Sequence, residues 1–170
     1  MWAPWRMPYL RGECREVEGC IFCKKRDADD AEEHILFRGL HCFVMLNRYP
    51  YSNGHLMVVP YAHVSSLVAL DDEVLLEMLQ LVRVSQRILM ETQGPTGFNV
   101  GVNEGSAAGA GIEEHIHMHV VPRWEGDANY MTVIGETRVI PQMLDDTYAL
   151  LRPHFDRYRS EEQAESQPPT

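Results

Sequence analysis

Histidine recurs at every second position in the run His115-Ile116-His117-Met118-His119-Val120-Val121. In an extended strand successive side chains alternate between faces, so His115, His117 and His119 share one face while Ile116, Met118 and Val120 point to the other. A helix would set His115 and His119 together and His117 elsewhere; the following Val120, Val121 and Pro122 favour the strand. Three imidazoles in register open three kinds of chemistry: a metal site, a buried hydrogen-bonded cluster, or a nucleophile with anion-binding neighbours. Three apolar residues opposite them argue against a merely packed role. A neutral imidazole can attack phosphorus, and neighbours that are protonated or fixed in one tautomer can donate to phosphate oxygens.

A second reactive group precedes them. Cys20-Ile21-Phe22-Cys23 is a C-x-x-C pair, suited to zinc or to thiol exchange. A redox pair belongs beside a βαβ unit, and no such pattern surrounds this one, so zinc is the preferred reading. Two thiolates need two further ligands for a closed tetrahedral site. With no second C-x-x-C in the chain, histidines must supply them. Cys14 and Cys42 show no comparable spacing.

These side chains need a scaffold, and the apolar pattern supplies one. Ile35–Phe37 and Cys42–Leu46 read as short strands around a turn at Gly39, and Leu56–Val59 as a third, entered through Tyr51-Ser52-Asn53-Gly54 and ended by Pro60. Asp71 can cap a long helix to about Gln93, with Asp72 and Glu73 at its positive N-terminal dipole and Leu75, Met78, Leu79, Val82 and Leu89 on one face. Phe98–Val102 is a further strand, followed by the Gly- and Ala-rich loop Asn103–Gly111. His115–Val121 is the next strand, and a last helix covers Met143–Tyr158. Strands gather on either side of one long helix without strict alternation, which predicts an α+β fold with a mostly antiparallel sheet.

The chain of 170 residues suits one domain. Residues 1–19, opening MWAPWRMPYL, are read as an aromatic arm that docks on the domain or on a second subunit; residues 20–158 are the catalytic domain; residues 159–170, which include SEEQAESQPPT, form an acidic tail expected to be disordered. With 25 acidic against 15 basic residues the net charge is -10, which excludes general attraction to nucleic acid or to anionic membrane. An anionic ligand therefore needs a local site, to which Arg123 is a candidate contributor. No apolar stretch spans a bilayer and no export signal is evident, so a cytoplasmic location with reduced thiols is expected.

The run HIHMHVV with Pro122 and Arg123 resembles the signature of the histidine triad (HIT) nucleotide-binding proteins. Leu46-Asn47-Arg48-Tyr49-Pro50, Gly54–Pro60 with His63, and Asn103-Glu104-Gly105 resemble that family's other ordered blocks, and the likeness covers roughly residues 20–124. The resemblance implies a compact α+β domain that pairs as a homodimer by joining two sheets. It also implies cleavage at the α-phosphate of a nucleoside phosphate conjugate, with no organic cofactor. By the same likeness His117 attacks phosphorus to form a nucleotidyl-histidine, His119 holds a non-bridging oxygen, and His55 and His115 order the imidazoles. Asn47 matches a ribose contact and Asn103 a phosphate-proximal amide. The covalent step divides one difficult displacement into two.

Bacterial members and related uridylyltransferases carry a similar cysteine pair, completed by histidines matching His63 and His115. A structural zinc site of Cys20, Cys23, His63 and His115 is what this resemblance implies. The chain departs from the family in the loop before the triad, where a Gly-Gln-Ser/Thr step is missing; backbone amides at Gly109 and Gly111 are the expected substitutes. The Trp-Ala-Pro-Trp-Arg start, the Ala-Gly-Ala-Gly loop and Val121-Pro122-Arg123-Trp124 resemble the bacterial branch related to diadenosine tetraphosphate phosphorylases. His119 points toward water as the acceptor, and the branch likeness toward phosphate. Two classes of function are left: a nucleotidyl hydrolase or transferase, and a nucleotide-binding interaction protein with little turnover. A metal-dependent oxygenase or hydrolase on the three histidines is a weaker third.

Overall fold

The computed structural model describes residues 19–127 and 142–165. Residues 1–18 of the expected 1–19 arm, with Cys14, as well as residues 128–141 and the last five residues, lie outside them. Five strands, β1 (Ile35–Arg38), β2 (Cys42–Leu46), β3 (Leu56–Pro60), β4 (Gly97–Val102) and β5 (Met118–Arg123), form one sheet in the order β1-β2-β3-β5-β4. Every pairing is antiparallel. The helices are α1 (Ile21–Lys25), α2 (Asp72–Gln93) and α3 (Leu144–Glu165), so the expected α+β architecture is the observed one.

Strand alternation divides the apolar residues between two faces. Cys42, Val44 and Leu46 of β2, with Leu56 and Val58 of β3, join Met78 and Leu89 of α2 and Leu151 and Phe155 of α3 in the larger core. Phe43, Met45, Met57 and Val59 point the other way, onto Cys20 and Phe22. Burying one such large side chain contributes about 1.5–3 kcal/mol. β2 and β3, covered on both faces, are the rigid centre of the sheet.

α2 starts after Asp71 and stops at Gly94, whose left-handed φ of 58° suits glycine. Asp71 occupies the N-cap position, yet its side chain makes no capping bond. The buried residues are Val74, Met78, Leu81, Val82, Val84, Ser85, Ile88 and Leu89, whereas Leu79 is 57% exposed. The expected stripe was placed slightly off axis: a 3.6-residue period from Val74 sends Leu79 to the flank.

Two further boundaries differ from expectation. The ladder of β5 begins at Met118 rather than His115, because its partner β4 ends at Val102, opposite Met118. Before that point Ile116 N–H instead donates to Val64 O at 2.7 Å. α3 continues past Tyr158 to Glu165, through the start of the expected tail. There Tyr158 packs on Phe37 at 5.4 Å and the Arg159 guanidinium sits 5.1 Å from the same ring, which anchors the extra turns. Among the described residues no helix is long and apolar enough to cross a membrane.

Candidate active site and metal centre

The ladder begins only at Met118, yet the face alternation already holds across His115, Ile116 and His117. Ile116 and Val120 enter the larger core. The imidazoles lie on the opposite face, where Phe22 of α1 meets His117 at 4.9 Å and His115 at 5.4 Å between ring centroids. His119 pairs across the sheet with Met57 on one side and Gly101 on the other. Gly101 has no side chain, and a Cβ there would meet no atom within 4 Å, so the sheet is open beside His119.

Backbone groups decide where the ring protons sit. A carbonyl can only accept, so His117 Nδ1–H donates to His115 O at 2.9 Å and leaves the lone pair on Nε2. His117 is 5% exposed, and burial holds its pKa below the ordinary 6.5 against the weaker opposing effect of that backbone bond. The ring is therefore neutral at pH 7.

A second chain of bonds orders His119. Tyr51 N–H can only donate, and it reaches His55 Nδ1 at 3.0 Å. Neutral His55 therefore carries its proton on Nε2 and donates to His119 Nδ1 at 3.0 Å. His119 in turn bears its proton on Nε2, ready to be given to an oxyanion, and its ring stands T-shaped to His117 at 4.8 Å. Tyr51 also stacks on His55 at 4.7 Å. From sequence Tyr51 belongs only to an entry loop, since nothing in its spacing signals a backbone donor to a ring four residues on.

The turn into His55 depends on Gly54. Its φ is 71°, and an added Cβ would lie 2.6 Å from Gln93 Oε1. Asn47, at the far end of the same loop, is 8% exposed; its Oδ1 accepts from Tyr49 N–H at 2.8 Å, which turns the amide NH2 into its outward donor. Asn103 follows β4 directly, beside the entry to the histidine segment. The next residue, Glu104, braces the loop by accepting from Ser66 Oγ at 2.7 Å.

Two expected contributors are differently employed. Gly109 N–H donates to Ser106 O at 2.9 Å within a 3-10 turn, so it is not presented to a phosphate in this conformation; Gly111 lies exposed two residues on. Arg123 donates through two nitrogens to Asp127, at 2.6 and 2.7 Å, and through a third to Asn99 Oδ1 at 2.8 Å. Carboxylate satisfaction holds it at the end of β5, away from the role of anion binder.

Cys20, Cys23, His63 and His115, far apart in sequence, meet on the same face. Their donor atoms all lie within 4.8 Å of one another. His115 Nδ1 is 3.2 Å from Cys20 Sγ, 3.7 Å from Cys23 Sγ and 3.3 Å from His63 Nδ1, and Cys23 Sγ is 3.3 Å from His63 Nδ1. Tetrahedral zinc bonds of about 2.3 Å to sulfur and 2.0–2.1 Å to nitrogen require S–N and N–N edges of about 3.5 and 3.3 Å. The donor set therefore fits a divalent ion with little adjustment. His115 Nε2–H donates to Pro60 O at 2.9 Å, which leaves the Nδ1 lone pair facing the other three donors. Cys42 is no part of this group: buried, its thiol is pushed up to about 12.

Comparison with known proteins agrees with this geometry. Residues 28–126 match the HIT domain model. The chain is 42% identical to the AP-4-A phosphorylase of Mycobacterium tuberculosis, over 92% of this chain and 84% of that one. It is 32% identical to adenylylsulfatase HINT3 of Arabidopsis thaliana over 64% of this chain and 54% of that protein. Among solved structures, a zinc-bound histidine triad family protein from Mycobacterium smegmatis superposes with a TM-score of 0.66 at 27% identity, covering 84% of this chain and 97% of that one.

Proposed function

Because the chain belongs to the HIT family, whose relatives here process nucleotides, we propose that it cleaves adenosine polyphosphates of the diadenosine tetraphosphate kind at the α-phosphate through a nucleotidyl-His117 intermediate. The observation that carries this reading is the His117 Nδ1–H bond to His115 O, which aims a neutral, unprotonated Nε2 out of a buried ring. Nε2 attacks the α-phosphorus, a P–N bond forms, and the P–O bond to the remaining polyphosphate breaks. The electron pair departs with that weakly basic oxygen, so no strong general acid is required. His119 Nε2–H donates to a non-bridging oxygen as charge builds on it. The Asn47 amide NH2 binds a ribose oxygen, and Asn103 lies toward the phosphate.

In the second step water or inorganic phosphate attacks the nucleotidyl group, the P–N bond breaks, and neutral His117 is regenerated. Phosphate as acceptor is the reading favoured by the 42% identity to a phosphorylase. Incubation with diadenosine tetraphosphate, with and without inorganic phosphate, tests it: ATP with ADP supports phosphorolysis, and ATP with AMP hydrolysis. No product under either condition returns the chain to a binding role. Cys20, Cys23, His63 and His115 are proposed to hold zinc as a closed, structural site that fixes the His115 peptide beside the nucleophile. The molecule is proposed to act as a homodimer through β4, an edge strand on which Asn99, Val100 and Gly101 are exposed.

The mechanism fixes a pH dependence. Protonation removes the nucleophile, and burial has moved that protonation below 6.5. The acid limb of kcat/KM should therefore be centred below pH 6.5; a profile measured from about pH 8 to about pH 5 checks it. A limb centred above 6.5 would contradict a buried neutral His117.

A further inference from the structure

The two cysteines stand on a helix that cannot hold its own shape. α1 has five residues, far below the roughly 12–15 at which an isolated helix becomes even marginal in water, and Cys20 at its N-cap makes no capping bond. Its C-terminal carbonyls, and those of the turn after it, converge on one side chain. Arg38 Nη2 donates to Lys25 O at 3.0 Å and to Ala28 O at 2.9 Å, Nη1 to Arg26 O at 2.6 Å, and Nε to Asp30 Oδ1 at 2.7 Å.

Arg38 ends β1 and is thus anchored in the sheet. Asp30 is shared with α3, since Arg152 Nη1 donates to its other oxygen at 3.1 Å and to Ile35 O at 3.1 Å. Tyr61, two residues before His63, stacks on Phe43 at 5.6 Å, and its hydroxyl lies within the electrostatic reach of the same guanidinium. One side chain therefore borders both the helix that carries Cys20 and Cys23 and the loop that carries His63.

We infer that Arg38 is a positioning residue for the metal centre: by tying the end of α1 to the sheet, it holds the two thiols at the spacing His63 and His115 require. The inference rests on the metal reading above. A purely structural Arg38 would lower stability and leave metal affinity alone. A positioning Arg38 lets the site bind without first ordering the helix that carries the thiols. Lysine cannot replace it, because a point donor cannot span three carbonyls and a carboxylate.

The test uses the full chain and zinc itself. Affinity is measured by competition with a chromophoric chelator for the wild type, Arg38→Gln and Arg38→Lys, and the cobalt-loaded proteins are compared by thiolate-to-metal absorption. Circular dichroism of the metal-free proteins reports whether the fold persists. Arg38→Gln is expected to bind zinc about 10–100-fold more weakly with a weakened cobalt–thiolate band, and Arg38→Lys to show a smaller loss of the same sign. Wild-type affinity in both folded variants overturns the inference; if Arg38→Gln fails to fold, Arg38→Lys decides alone. A wild type that takes up no zinc overturns the metal reading as well, and is recognised before any variant is compared.

Discussion

His117→Ala is expected to lower turnover of diadenosine tetraphosphate by on the order of 10⁴-fold or more, while AMP still binds within about tenfold of the wild type. The imbalance follows from geometry. The nucleophilic nitrogen is lost outright, but Asn47, His55 and His119 keep their own bonds, none of which runs through the ring of His117. The fold should survive, since the lost contacts are one hydrogen bond and the ring contacts with Phe22 and His119; a cost of about 0.5–3 kcal/mol is typical of such a change. His119→Ala removes a donor rather than the nucleophile, so a smaller loss of about 10²–10³-fold is expected. Single-turnover assays with mass detection of the nucleotidyl-protein separate the two: the first variant forms no adduct, the second forms it slowly. Unimpaired turnover by purified His117→Ala would remove the mechanism.

At the zinc site proposed above, chelation should produce the largest change in stability. At a free zinc concentration 1,000 times the dissociation constant, binding adds about 4.1 kcal/mol. For a chain of this size about 2–4 °C of Tm accompanies each kcal/mol, so chelation is expected to lower Tm by roughly 8–16 °C. Cys23→Ser should reach the same lowered Tm and then be indifferent to chelator, because both changes delete one interaction. Turnover should fall with the metal, since His115 presents Nδ1 to the cluster and its own carbonyl to the nucleophile. Thermal scans with metal analysis decide the matter; an unchanged Tm after complete chelation contradicts the site.

Much of the scaffold is legible in the chain because its punctuation is local. Pro60 closes β3, Asp71 and Gly94 bracket α2, and β2 runs as expected from Cys42 to Leu46. What escapes has causes distant in sequence. α1 is too short to announce itself and exists because Phe22 is buried and Arg38 collects its carbonyls. α3 outruns its apolar pattern because Phe37 receives Tyr158 and Arg159. The start of β5 is set by where β4 stops, which no pattern within His115–Val121 could reveal.

The candidate site divides the same way. The three histidines are legible from spacing, and the grouping of His115 with Cys20, Cys23 and His63 from family resemblance. The tautomers were not, because they are dictated by the carbonyls of Pro60 and His115 and the amide of Tyr51, groups every residue possesses. The same holds at Gly109, where glycine permits close approach but the amide N–H donates to Ser106 O.

The Cys2His2 cluster also bears on the order of events in folding. Cys20 and His115 are separated by 95 residues, and His115 stands just before β5, the strand that pairs with β3. Contacts of such long sequence separation are slow to form, because a large loop must close before they contribute anything. A C-x-x-C pair alone gives an ion two of its four ligands, so the nascent chain offers no complete coordination shell. On the zinc site proposed above, the ion is expected to be captured by a sheet already assembled, so that its effect falls on the rate of unfolding more than on the rate of folding.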